Sequence, residues 1–119
     1  MTSEPTFEPE ALERLLEITG GDVAFVDELV DTYLDDAVIQ LAAMVEAAAA
    51  GDPRALVRPA HSLKSSSDNV GAVALANLCR TLESEAREGA VSQAVERVAA
   101  VAQAFDAVRA DLLAARAAR

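Results

Sequence analysis

The chain has no tryptophan, one tyrosine, one cysteine and one histidine. Each scarcity removes a class of function. With aromatic residues at 3% there is no stacking platform for single-stranded nucleic acid. Ten lysines and arginines stand against twenty acids, a net charge of −10. That is the wrong sign for a phosphate backbone or an anionic membrane surface. Cys79, being alone, can form no internal disulfide, and its place on an apolar helix face reads as a small core hydrophobe. One histidine cannot supply the two Glu-x-x-His pairs of a carboxylate-bridged metal bundle. No glycine-rich phosphate loop, strand alternation or repeat period is present. No stretch is long and apolar enough to span a bilayer, and MTSEPTFEPE is too acidic and polar for a secretory signal. The expected location is cytoplasmic.

What remains is apolar and rich in alanine, 52% hydrophobic over 119 residues. That composition suits one domain of closely packed helices with a core of its own. Residues 1–6 read as a frayed end and 7–119 as the domain. A short first helix is expected over Glu8–Thr19, with Thr6 as N-cap, Pro9 in the first turn and Phe7, Leu12, Leu15 and Leu16 inward. Gly20 and Gly21 end it. Asp22 caps a long second helix reaching Ala49, with Val26, Leu29, Val30, Tyr33, Ala37, Leu41, Met44 and Ala48 at three-and-four spacing. Gly51, Asp52 and Pro53 then stop one helix and start the next. The third helix covers Pro53–Asp68, and Pro59 inside it predicts a kink. The fourth covers Ala72–Arg87, with Leu75, Leu78, Cys79 and Leu82 inward. The last covers Val91–Ala117, its stripe being Val91, Val95, Val98, Ala102, Phe105, Val108 and Leu112. The expected fold is all-α: an antiparallel up-down-up-down four-helix bundle with a short extra N-terminal helix packed at one end. Its apolar stripes are used up internally, so a monomer is expected.

The third helix holds the chemistry. At about 100° per residue, Leu56, Ala60, Leu63, Ser67 and Val70 form one stripe. His61, Lys64, Ser65 and Asp68 lie well round from it. His61 is therefore expected at the surface, with an ammonium three residues on and a hydroxyl four residues on. An exposed neutral imidazole is a nucleophile near neutral pH, because the pKa of a free histidine is about 6.5. Position alone would leave it an ordinary surface residue.

The surrounding sequence, AHSLKSSSDNVGAVALANLCRTLE, resembles the signature of the histidine-containing phosphotransfer (HPt) domain. That family carries A-H-x-L-K-G-S-S, then N-x-G-A, then L-A-x-L-C-x-x-L-E. Ala60, His61, Leu63, Lys64, Ser66 and Ser67 match the first part. Asn69, Gly71 and Ala72 match the second, and Leu75, Ala76, Leu78, Cys79, Leu82 and Glu83 the third. The GGD at Gly20–Asp22 and the AGD at Ala50–Asp52 are further shared features. Where the family often has glycine four residues after the histidine, this chain has Ser65, which is still small and has a hydroxyl to donate.

The resemblance implies a phosphocarrier and not a kinase. His61 would accept a phosphoryl group from an aspartate of a receiver domain and pass it to another receiver. Lys64 would offset the phosphoryl charge, and Ser65 would leave access. The implied partners are response-regulator receiver domains and a hybrid histidine kinase. The chain would need no cofactor of its own, since the receiver brings Mg²⁺. His61 lies about as far after the Gly51 turn as Gln40 lies before it. Asp36, Ile39, Gln40 and Ala43 are therefore the expected docking residues on the second helix, with Asp68 on the third. Two rival readings keep a histidine on a bundle. A sensor-kinase dimerisation hairpin normally precedes an ATP-binding domain, for which there is no signature here. An adaptor bundle would leave His61 inert, against which stands the retained His61–Lys64 pair.

Overall fold

The computed structural model describes residues 8–118. Five helices follow in order: α1 (Pro9–Ile18), α2 (Val23–Ala49), α3 (Pro53–Asn69), α4 (Val73–Arg87) and α5 (Ala94–Ala117). The segment 1–6 and Phe7 lie outside the described residues, and the N-cap of α1 is Glu8 in place of the expected Thr6, because the helix begins only at Pro9. The α2 to α5 helices close into an antiparallel bundle in which α3 packs most extensively on α4, then on α2, while α5 sits against α2 and α4. The short α1 leans on α2 at one end.

Local chemistry sets the boundaries. The Asp22 carboxylate accepts the Phe25 amide at 3.0 Å and opens α2. The Asp52 carboxylate accepts the Ala55 amide at 3.3 Å and opens α3, with Pro53 in the first turn, where its missing donor costs nothing. Pro59 is buried, and α3 is helical through it from Pro53 to Asn69.

The expected α3 stripe is the buried one: Leu56, Ala60, Leu63, Ser67 and Val70 all face inward. They meet Val26, Val30, Tyr33, Ala37 and Met44 from α2, Leu75, Cys79 and Leu82 from α4, and Val98, Val101 and Phe105 from α5. A core polar pair is satisfied internally, the Tyr33 hydroxyl lying 2.9 Å from the Ser67 hydroxyl. Burial pushes the Tyr33 phenol up to about 12 despite that bond, and pushes the Cys79 thiol up to about 12 as well. Cys79 is thus an inert core residue.

One helix boundary and two inward assignments differ from expectation. The α5 helix starts at Ala94, because Gln93 adopts a left-handed backbone (φ 53°) that breaks the helix before it. Val91 packs on the core from the preceding turn. Val95 is exposed, since the spacing 98-101-105-108-112 turns it outward and gives Val101 the inner place. Leu78 is 40% exposed, being off the 75-79-82-86 stripe that α4 buries.

Candidate functional site

His61 stands on the outer side of α3, with 51% of its side chain exposed. It does not stand alone. Its Nδ1 lies 2.9 Å from Oε2 of Glu83 on α4. The same oxygen accepts from Arg87 Nε at 3.0 Å and from Arg87 Nη2 at 2.7 Å. The other oxygen, Oε1, lies 3.1 Å from Lys64 Nζ. One carboxylate, 9% exposed, therefore gathers an imidazole, an ammonium and a guanidinium.

The helices place these groups. Residues 61 and 64 share a face of α3, as 83 and 87 share a face of α4. Glu83 lies one residue past Leu82, at the edge of the apolar stripe, so the α3–α4 contact covers it. Burial by itself raises a carboxyl pKa. Here the hydrogen bonds from Arg87, Lys64 and His61 outweigh it and hold Glu83 down at about 2. An ionised carboxylate can only accept. The neutral imidazole must then carry its proton on Nδ1, which leaves the lone pair on Nε2.

Of the residues singled out from sequence, His61 and Lys64 meet on Glu83. The Lys64 ammonium is engaged by the Glu83 carboxylate. Ser65 is exposed beside His61 on α3. Asp68 is exposed and paired with Arg80 at 3.1 Å, away from the Glu83 cluster. On α2, Asp36 accepts from Gln40 Nε2 at 3.3 Å. Asp36 also lines, with Thr32 and Tyr33, a groove whose α3 wall is Ser66 and Asn69. Ile39 and Ala43 are exposed on the same helix.

Glu83 and Arg87 went unassigned in the sequence, although Glu83 belongs to the motif. The available signal was a carboxylate bordering an apolar stripe, with an arginine one turn later to neutralise it. Among the described residues no group of three or more His, Cys, Asp or Glu side chains is placed to hold a metal ion. No helix among them is long and apolar enough to cross a membrane.

The family model described as "Hpt domain" matches residues 28–111. The crystal structure of histidine-containing phosphotransfer protein B (HptB) from Pseudomonas aeruginosa PAO1 is similar over 98% of this chain and 99% of that one. The TM-score is 0.86 at 32% sequence identity. A search of curated proteins found no match.

Proposed function

The chain belongs to the Hpt family, and from that premise we propose that His61 is the residue through which this phosphorelay intermediate carries its phosphoryl group. The observation behind the assignment is the engagement of one ring nitrogen on a half-exposed side chain: Nδ1 is occupied by Glu83, which leaves Nε2 as the nitrogen to react.

In this reading the Nε2 lone pair attacks the phosphorus of a receiver's aspartyl phosphate. The N–P bond forms as the P–O bond to the aspartate breaks, and that electron pair leaves with the aspartate carboxylate. The ring keeps its Nδ1 proton and becomes cationic. Glu83 stabilises that charge through a charge-assisted hydrogen bond. Transfer to a second receiver is the same step reversed. Lys64 is near enough to turn from Glu83 toward the phosphoryl oxygens, and Arg87 would then keep the carboxylate neutralised. Ser65 is small enough to leave the approach open. The Mg²⁺ that polarises the phosphoryl group comes with the receiver, and the chain needs no cofactor and no kinase activity of its own. Receivers and a hybrid histidine kinase are its partners, it works as a monomer, and its place is the cytoplasm. Docking uses Asp36, Ile39, Gln40 and Ala43 of α2, with Asp68 of α3 at the rim.

The test is to mix the chain with a radiolabelled, phosphorylated receiver domain. Label on the wild-type chain should be acid-labile and base-stable. His61→Gln should abolish it with the helical circular dichroism unchanged. Label that survives the substitution removes His61 from the relay.

A further inference from the structure

The face that presents His61 has a charge unlike the rest of the molecule. From Pro53 through Ser67, α3 holds Arg54, Arg58 and Lys64 and not one acid, in a chain of net charge −10. The adjoining α2 is the reverse, with Asp27, Glu28, Asp31, Asp35, Asp36 and Glu46 and no lysine or arginine.

Arg54, Arg58, His61 and Ser65 follow at spacings of four, three and four, so they form one exposed strip along α3. The strip leads about 10 Å from His61 back toward the start of the helix. Beside it opens a groove of about 860 Å³ between α3 and α4, bordered by Arg54, Val57, Arg58 and Arg87 together with the acids Asp52 and Glu88. One oxygen of Asp52 is turned to the Ala55 amide. Arg87 is held by Glu83. Arg54 and Arg58 have no ion pair or hydrogen bond among the described residues, unlike Lys64, Arg80, Arg97 and Arg116. Arg14 and Arg109 are also unpaired there, but lie on α1 and α5.

Helix stability does not account for Arg54. It follows Asp52 and Pro53 in the first turn of α3, where the helix dipole favours an acid and opposes a cation. Two unengaged guanidiniums, one of them against the local field, lead toward the nucleophile of a strongly acidic protein. We propose that Arg54 and Arg58 form an electrostatic docking strip for the acidic, aspartyl-phosphate-bearing face of the partner protein. The proposal rests on the assignment of His61 as carrier. A dianionic acyl phosphate and the carboxylates that hold its metal would be repelled by a net charge of −10. The strip offsets that repulsion along the path to Nε2, so it acts on encounter and orientation and not on the bond-making step. It also extends the contact surface beyond the α2–α3 side, down the α3–α4 groove.

The experiment compares the wild-type chain with the Arg54→Glu/Arg58→Glu double variant. Both receive phosphoryl groups from a purified receiver domain charged with acetyl phosphate, and separately from phosphoramidate, a donor with no protein surface. Rates are read at about 20 mM and about 500 mM salt, between which the screening length falls from roughly 20 Å to roughly 4 Å. The expected result is a loss of about tenfold or more in receiver transfer at low salt, shrinking to about twofold at high salt. Phosphoramidate labelling and helicity should be unchanged. Equal receiver rates at both salts overturn the strip. So does an equal loss with phosphoramidate, which would mean that the arginines act on the imidazole itself. A wild-type chain labelled at His61 by phosphoramidate but by no receiver in a panel sinks the relay assignment instead, and the strip with it.

Discussion

Glu83 receives hydrogen bonds from three side chains on two oxygens, which makes it the residue on which the site's protonation state depends. Its folded pKa lies below the ordinary 4.5, at about 2. The sign of the linkage follows. The stabilisation is fully present above about 4.5 and is lost as pH falls through the window down to about 2. Glu83→Gln keeps the shape and removes the charge. Its urea midpoint should fall below wild type at pH 7, and the two should converge as the pH falls through about 2 and the wild-type carboxyl is protonated as well. Phosphoramidate labelling of His61 should slow as well, because an amide can donate to Nδ1 and so fix the proton on Nε2. A pH-independent gap between the two midpoints would detach Glu83 from the cations around it. At this scale the sequence was half legible. Helical spacing brought Lys64 beside His61 and put both outside the core. It is silent on a partner 22 residues away on another helix, because an angle on one wheel does not determine which neighbour that face meets.

Among the elements, the α3–α4 turn does more than reverse the chain. Gly71 has φ +81°, and its carbonyl accepts the Glu8 amide at 2.8 Å, which ties the start of α1 to the end of the histidine helix. A β-carbon there would lie 2.7 Å from the Ala11 side chain and 2.8 Å from the Glu8 carbonyl oxygen. Gly71→Ala therefore combines a left-handed backbone penalty with a clash against backbone, and about 2 kcal/mol of destabilisation is expected. The loss should be local. Hydrogen exchange should quicken in α1 while the α2–α5 amides and His61 labelling stay near wild type. Loss of protection throughout the bundle would show that α1 is integral to it. The turn, the five helices and their order were readable from glycines, N-cap acids and three-and-four spacing. The need for α1 to approach Gly71 closely was not, since it comes from packing between elements distant in sequence. The start of α5 was missed for a related reason. The left-handed Gln93 has no signature in residue type, and an unbroken apolar period from Val91 to Val95 invited a longer helix.

On the whole molecule, charge and apolar surface are divided among faces in a way that composition could not reveal. A net charge of −10 reads as solubility until the fold sets an acid-free α3 beside an acid-rich α2. The exposed apolar residues of α2 divide similarly. Val38 borders the groove shared with α5, alongside Phe105 and Arg109. Ile39 follows by one residue, about 100° round the helix, one turn from the Asp36 that faces Ser66 and Asn69 of α3. Both are well exposed, 58% for Val38 and 64% for Ile39. A substitution of either to aspartate should therefore cost little stability. If the receiver docks on the side proposed here, Ile39→Asp should lower transfer from a phosphorylated receiver by about tenfold, the cost of about 1.4 kcal/mol of lost contact. Val38→Asp, with the same added charge on the same helix, should leave that rate within about twofold. Phosphoramidate labelling should be equal in both, since neither residue touches the imidazole. Equal slowing by the two variants would assign the effect to net charge and not to a docking face. Slowing by Val38→Asp alone would move the partner to the α2–α5 groove, on the flank of α2 away from the histidine helix.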